Sequence, residues 1–135
     1  MMIPVEFTSS GSLLQGNFFP AAGDPILATV IFLQGFPGVE GDELICAQLA
    51  QANLNVLTFN YRGTFRSQGD FSFSHALQDI GAALSYLSQP ELQKEYHIDP
   101  GRLVLGGWSF GSGILPAGAA GHPEFSSIFT ISGRN

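Results

Sequence analysis

The sequence predicts an α/β fold: a mostly parallel sheet of about six strands, an antiparallel N-terminal hairpin, and helices on both faces. Two observations favour this class. After an opening hairpin, apolar β-branched runs alternate with segments of helical periodicity. One of these runs, Ile26–Leu33, is apolar at nearly every position, which is typical of a strand buried on both faces of a parallel sheet. We assign residues 1–135 to a single domain, because this length suits one.

The composition indicates a chain that folds around a large apolar core. It contains 44% hydrophobic residues, 12 phenylalanines and only 12% charged residues, whereas disorder requires low hydrophobicity and high net charge. The net charge is −6 and no Lys/Arg cluster occurs, so we expect no nucleic-acid partner. No signal peptide is visible and no apolar stretch approaches about 18 residues. We therefore expect a cytoplasmic protein with no membrane contact.

The first part of the chain contains the hairpin and the long apolar strand. Val5–Ser9 and Leu13–Phe19 are predicted as two short strands, and Ser10-Gly11-Ser12 supplies the turn between them. The run Ile26–Leu33 follows as a third strand. Two glycines and a proline in Gln34–Gly38 then end it.

A helix and a strand follow. Glu40–Asn53 has helical spacing, and we expect Ile45, Leu49 and Ala52 to form its buried stripe. Asn55–Asn60 is predicted as the fourth strand. A second, clearer helix covers Phe73–Leu87, where four apolar residues recur at i, i+3, i+7 and i+10: Leu77, Ile80, Leu84 and Leu87.

The remaining elements lie in the last third of the chain. Pro90–Pro100 is a polar connection in which we expect a helical turn. Arg102–Gly106 is predicted as a strand, Ser109–Ala120 as a helix and Ser126–Ile131 as the last strand. Cys46, the single cysteine, is expected to be a small buried hydrophobic residue.

The pentapeptide Gly107-Trp108-Ser109-Phe110-Gly111 joins a predicted strand to a predicted helix, which is where a nucleophile elbow belongs. The flanking glycines allow the sharp turn that lifts a serine hydroxyl clear of the sheet. We predict Ser109 as a nucleophile that forms an acyl-serine intermediate. The backbone N–H groups of Phe110 and Phe36 are predicted to donate to the oxyanion.

Three segments resemble motifs of the α/β-hydrolase superfamily, in the group of dienelactone-hydrolase-like esterases and serine aminopeptidase-like hydrolases. Gln34–Gly38 resembles the His-Gly-x-Pro oxyanion loop, Asn60–Ser67 resembles the Asp-x-Arg-Gly-x-Gly-x-Ser segment, and Gly107–Gly111 matches the elbow. They occur in the family's order. The resemblance implies a truncated α/β-hydrolase fold, the N-terminal half only, incomplete at the C-terminus.

The chain departs from the family's pattern at three positions. Gln34 replaces a histidine, which leaves the oxyanion donor intact because that donor is a backbone N–H. Asn60 and Phe65 replace an aspartate and a glycine, which puts the hydrogen bonding of their loop in question. Trp108 and Gln34 are the candidate substrate-binding residues.

The family's acid and histidine follow later strands than those present, in the order Ser, Asp or Glu, His. Both are therefore expected outside this chain, which stops just past the sixth strand. We predict His75, His97 and His122 to be surface residues, with His75 nearest the correct face for a general base.

Asp70 and Asp79 are expected to be a loop acid and a helix-capping acid rather than triad members. Arg62 is expected to form a structural ion pair with one of them. We expect no cofactor and no metal ion, because the three histidines are scattered and the cysteine is alone.

Three interpretations of function are open. The first is a serine hydrolase that acts on a small-molecule carboxylic ester or a peptide. The second is an inactive fragment, since a serine without its base retains little reactivity. The third is a non-enzymatic binding module that keeps the fold. For a fragment, the last strand is an unprotected edge, which favours self-association or association with a complementary chain.

Overall fold

The computed structural model describes residues 1–23, 28–35 and 41–131, which form one six-stranded sheet with helices on both faces. In chain order the elements are β1 (Ile3–Ser9), β2 (Ser12–Phe19), β3 (Thr29–Leu33), α1 (Gly41–Gln51), β4 (Asn55–Phe59), α2 (Phe73–Leu87), α3 (Pro90–Tyr96), β5 (Leu103–Trp108), α4 (Phe110–Gly121) and β6 (Phe125–Ile131). The predicted fold class is confirmed.

The sheet has the strand order β1-β2-β4-β3-β5-β6. β1 and β2 form an antiparallel hairpin whose turn residues, Ser10 and Gly11, have φ of 47° and 83°. Positive φ at both central residues matches the right-handed twist of a hairpin. β2 is antiparallel to β4, whereas β4, β3, β5 and β6 run parallel to one another. The parallel carboxyl ends of β3, β4 and β5 therefore meet at one edge of the sheet.

The two faces of the sheet are covered by different helices. α1 packs on one face through a smaller apolar cluster that includes Cys46 and Ala50. α2 and α4 pack on the other face in a larger cluster, in which Ile80 and Ile114 are fully buried. Cys46 is 0% exposed, which confirms its predicted place in the core.

The third strand and the first helix differ from their predictions in extent. β3 begins at Thr29, so Ala28 lies outside it, and the predicted strand residues 26–27 lie outside the described residues. The predicted helix start at Glu40 also lies outside them. α1 ends at Gln51 instead of Asn53, because Asn53 adopts a left-handed φ of 68°.

The predicted buried stripe of α1 is wrong by about one position. Cys46 and Ala50 are buried, Ile45 and Leu49 are half-buried, and Ala52 is exposed. The small residues face the sheet because the helix packs closely against it, and the larger apolar residues flank this contact.

Three further elements differ in extent from their predictions. β5 continues through Trp108, because β3 pairs with it as far as Gly107 and β6 pairs with it on its other side. α4 begins at Phe110, one residue after Ser109. The predicted helical turn is a seven-residue helix, α3, with Pro90 in its first turn. No helix among the described residues has the length and apolarity needed to cross a membrane.

Candidate active site

Ser109 occupies a strained turn between β5 and α4. Its backbone has φ 57° and ψ −119°, and its side chain makes no capping hydrogen bond to the helix. A non-glycine residue in such a conformation is typical of functional sites, where the surrounding structure holds the strain. Ser109 is exposed. The turn therefore presents the hydroxyl at the carboxyl edge of the sheet, as an elbow requires.

The two glycines of the pentapeptide are required by close packing. A Cβ on Gly107 would lie 2.8 Å from the carbonyl carbon and oxygen of Gly111. A Cβ on Gly111 would overlap the carbonyl oxygen of Leu33 and lie 2.5 Å from its carbonyl carbon. The start of α4 thus contacts the backbone of β3 directly, which fixes Ser109 relative to the end of that strand.

The loop after β3 passes beside Ser109. A Cβ on Gly35, which is buried, would lie 3.5 Å from Ser109 Cβ and 3.5 Å from Trp108 Cε3. The structure therefore brings Gly35, Trp108 and Ser109 together. Phe110, a predicted oxyanion donor, is the first residue of α4. Phe36, the other predicted donor, lies outside the described residues.

Gln34 is held by its side chain and by its carbonyl group. Its amide nitrogen donates to the Phe59 carbonyl oxygen at 2.6 Å and to Asn60 Oδ1 at 2.7 Å. The Tyr61 hydroxyl donates to the Gln34 carbonyl oxygen at 2.7 Å. Asn60 in turn donates from Nδ2 to Gln15 Oε1 at 2.6 Å. Two residues that depart from the family's pattern, Gln34 and Asn60, are therefore hydrogen-bond partners.

The loop between β4 and α2 keeps its hydrogen bonds despite its departures. Ser67 Oγ donates to the Asn60 carbonyl oxygen at 2.7 Å and accepts from the Gln15 backbone N–H at 2.9 Å. Phe65, where the family has glycine, has a left-handed φ of 48° and an exposed ring. The position thus keeps a conformation that glycine favours.

Arg62 and Asp79 form a buried ion pair with an Nη2–Oδ1 distance of 3.0 Å. Asp79 Oδ2 also accepts from the Arg62 backbone N–H, and Oδ1 accepts from Ser9 Oγ at 2.6 Å. The predicted structural pairing of Arg62 is confirmed. The prediction of Asp79 as a helix-capping acid is wrong, because Asp79 lies inside α2 with both carboxylate oxygens bonded within the protein.

No histidine or carboxylate among the described residues makes a hydrogen bond with the Ser109 hydroxyl. His75 Nδ1 lies 2.7 Å from the Asp70 carbonyl oxygen, so it carries the proton of that bond. His97 is exposed at the end of α3, and His122 lies beyond the far end of α4, against Gly81. His75 and His122 are half-buried rather than fully exposed.

An aromatic cluster lies beside the elbow. The Phe110 ring centroid is 5.4 Å from that of Tyr61, 5.8 Å from Phe71 and 6.5 Å from Phe73. The sequence pattern did not single out Tyr61, although Tyr61 directly follows the motif residue Asn60. Within residues 1–23, 28–35 and 41–131, no three His, Cys, Asp or Glu side chains are placed to hold a metal ion.

No family model matches the chain. The uncharacterized protein YfhR of Escherichia coli O157:H7 is 34% identical over 118 residues, which are 84% of this chain and 40% of YfhR. Neutral cholesterol ester hydrolase 1 of Pongo abelii is 25% identical over 105 residues, 73% of this chain and 25% of that protein. The chain thus spans well under half the length of these curated relatives.

Solved structures match nearly the whole chain. The α/β hydrolase GrgF from Penicillium sp. sh18 has a TM-score of 0.83 at 21% identity, over 98% of this chain and 46% of its own. An α-β serine hydrolase homologue from Coxiella burnetii has a TM-score of 0.77 at 19% identity, over 94% of this chain and 61% of its own. The chain therefore has the fold of these α/β hydrolases over the half or so of their length that it covers.

Proposed function

We propose that this chain carries the nucleophile of a serine hydrolase that cleaves small-molecule carboxylic esters or peptides through an acyl-Ser109 intermediate. The observation that supports this most is the backbone of Ser109. An exposed serine has φ 57° between β5 and α4, and Gly35 lies against its Cβ. A presented hydroxyl with bare backbone beside it is part of what acyl transfer requires; the other part is a general base.

In the proposed reaction, Ser109 Oγ attacks the substrate carbonyl carbon and loses its proton to a base. The resulting oxyanion accepts hydrogen bonds from the backbone N–H groups of Phe110 and Phe36. Collapse of the tetrahedral intermediate releases the alcohol or amine, and water then cleaves the acyl-serine. Trp108 and Gln34 border the substrate. Among the described residues no general base is bonded to Ser109, so the base and its acid partner are not assigned to any of them, and the proposed chemistry uses no cofactor.

The names of two similar proteins support an ester as substrate. One curated relative is a neutral cholesterol ester hydrolase, and one structural neighbour, with a TM-score of 0.73, is an acetyl xylan esterase from Thermoanaerobacterium sp. JW/SL YS485. Esters also need less activation of the serine than peptides do, because an alkoxide leaves more readily than an amine. We therefore place esters before peptides.

A fluorophosphonate probe tests this proposal, because a presented serine beside an oxyanion hole keeps a residual part of its reactivity even without its base. We expect the folded chain to be labelled at Ser109, and to be labelled faster than the chain unfolded in urea. Ser109→Ala abolishes the label, whereas Ser127→Ala, a change at an exposed serine in β6, leaves it unchanged. Intact-mass and peptide-mapping spectra locate the modified residue.

The second candidate is a chain with no catalysis of its own, either an inactive fragment or a binding module. The observation that favours it is the lack of a histidine bonded to Ser109 among the described residues. Equal labelling of folded and unfolded chain supports this candidate and contradicts the first.

We also propose that β6 associates with a second copy or a complementary chain. Among the described residues, no strand pairs with the outer side of β6, and Ile128 is 51% exposed. Trp108 and Phe129 are only half-buried on the face that α1 covers elsewhere. Unpaired strand edges and exposed apolar surface both favour association.

A further inference from the structure

Tyr61 lies between the loop after β3 and the elbow. It follows β4 by two residues and is only 1% exposed, and it is among the largest fully buried side chains of the protein. Its hydroxyl donates to the Gln34 carbonyl oxygen at 2.7 Å. A buried tyrosine hydroxyl that finds a backbone acceptor fixes that acceptor's position as well as its own.

The ring of Tyr61 contacts the other half of the site. Its centroid lies 5.4 Å from that of Phe110 at an interplanar angle of 76°, and 5.6 Å from that of Phe59 at 80°. Both are edge-to-face contacts, the preferred arrangement of aromatic pairs. Phe110 directly follows the nucleophile, so one side chain contacts both segments that meet at Ser109.

Gln34 is fixed from a second direction as well. Its amide nitrogen donates to the Phe59 carbonyl oxygen and to Asn60 Oδ1, so consecutive residues at the end of β4 hold its side chain while Tyr61 holds its carbonyl group. The next residue, Gly35, lies against the Cβ of Ser109. A shift of Gln34 is therefore transmitted to the nucleophile's immediate neighbour.

We propose that Tyr61 is a positioning residue for acyl transfer, because its hydroxyl and ring together set the spacing between the Gln34–Gly35 backbone and Ser109. This inference rests on the proposed function. A displacement of about 1 Å between reacting groups can cost about a hundredfold in rate. Tyr61 acts on the site through Gln34 and Phe110 rather than by contact with the reacting atoms.

The test is Tyr61→Phe in the full chain, which removes the hydroxyl and keeps the ring. The rate constant of phosphonylation and the dissociation constant of the fluorophosphonate probe are measured separately from the concentration dependence of labelling. We expect the rate constant to fall about tenfold and the dissociation constant to stay within about twofold. A merely structural role of Tyr61 would not lower the rate constant while it leaves the dissociation constant nearly unchanged.

Tyr86→Phe is the matched control. It also removes a tyrosine hydroxyl, from a ring that stacks on Phe7 near the end of α2. Burial raises the pKa of the Tyr86 hydroxyl, so this group is protonated at neutral pH and the chemical change is the same. We expect Tyr86→Phe to leave both constants unchanged. Equal effects of the two variants, or no effect of Tyr61→Phe, would overturn the proposal.

A second measurement keeps this inference separate from the proposed function. Amide hydrogen exchange followed by NMR reports the Gly35 and Phe110 N–H groups without any need for catalysis. We expect Tyr61→Phe to change the chemical shifts and to speed exchange at these two amides, with circular dichroism of the fold unchanged. If the unmodified chain is not labelled, the proposed function fails. If the two amides do not respond, the positioning role fails.

Discussion

Ser109 has an unfavourable backbone conformation, and both glycines that flank its pentapeptide are closely packed. Gly107 and Gly111 lie so close to each other and to Leu33 that side chains there would overlap backbone atoms. A serine with this positive φ costs about 1–3 kcal/mol in strain, and α4 packs against β3 beside it. The sharp turn at Ser109 thus depends on Gly107, Gly111 and the backbone of β3 beside them.

The first prediction concerns Gly111→Ala. The added methyl group would overlap the Leu33 carbonyl oxygen, which is backbone and cannot rotate away. We expect a loss of about 3 kcal/mol in the free energy of unfolding, at the upper end of the effects of overpacking, measured by urea denaturation. Fluorophosphonate labelling at Ser109 is expected to fall as well.

Gly113→Ala provides the control in the same helix. Nothing lies within 4 Å of a Cβ at this exposed position, so we expect unchanged stability or a gain of about 0.5–1 kcal/mol. If Gly111→Ala is no more destabilising than Gly113→Ala, the close contact between α4 and β3 is not present in solution.

At the residue scale, the sequence pattern predicts those features whose residues are adjacent in the chain. The sharp turn at Ser109 could be predicted because its glycines, its serine and the preceding apolar run are adjacent in sequence. Tyr61 could not, because its partner Gln34 is 27 positions away and a hydroxyl-to-carbonyl bond leaves no sequence pattern. The Gln34–Asn60 pair was visible only as two separate departures from a family's motif.

α2 is the element whose two ends were predicted correctly, because its first residue and its apolar periodicity are both determined by nearby residues. Ser72 accepts a hydrogen bond from the His75 N–H at the start of the helix, and the apolar residues recur at helical spacing. α1 and β5 were less predictable. Their extents depend on pairing with, or packing against, strands far away in sequence.

α2 also contains one member of a buried ion pair, which its apolar periodicity did not predict. Asp79 lies on the buried face between Ala76 and Ile80, and it joins the helix to Arg62 in the loop after β4 and to Ser9 in β1. Three segments that are far apart in sequence are therefore joined by the Asp79 carboxylate. An acid within an apolar stripe is the signal that could have revealed this contact.

The second prediction is that Asp79→Asn destabilises the protein strongly. Arg62, whose side chain is 6% exposed, would keep its charge without a buried counter-charge. Breaking a buried pair in this way costs about 3–5 kcal/mol, which urea denaturation would measure.

Asp99→Asn is the matched change at the surface. Asp99 pairs with Arg102 at 3.7 Å, and both side chains are more than half exposed. We expect a cost below about 1 kcal/mol, since solvent screens exposed pairs. Similar costs for the two substitutions would mean that the Arg62–Asp79 pair is hydrated in solution.

On the scale of the whole molecule, the alternation of strands and helices was sufficient to predict the fold class. It was not sufficient to predict which strands are neighbours, since the order β2-β4-β3-β5 depends on right-handed crossovers and on buried area rather than on any local pattern. The placement of α1 against one face, and of α2 and α4 against the other, follows from that order.

The third prediction concerns association through β6. Ile128→Lys places a charge on the exposed edge strand, which opposes pairing of edges. We expect the concentration at which the chain self-associates to rise at least about fivefold, as measured by sedimentation velocity. Leu44→Lys, a change at a 64% exposed residue of α1, is expected to leave association unchanged.

If Leu44→Lys disperses the chain as well as Ile128→Lys does, general surface apolarity drives association and the edge has no special role. If the chain is monomeric at all concentrations, β6 does not pair with a second copy, and a complementary chain is then the partner to seek by co-expression.

The position of β3 in the sheet also bears on how the chain is made. Both neighbours of β3, β4 and β5, follow it in sequence, and all five of its residues are buried in the finished sheet. During translation, Thr29–Leu33 therefore leaves the ribosome long before Leu103–Gly107, the segment that completes its pairing. For that interval an apolar, β-forming segment has one unpaired side. Such segments are the ones that chaperones bind and that aggregate when synthesis outpaces folding.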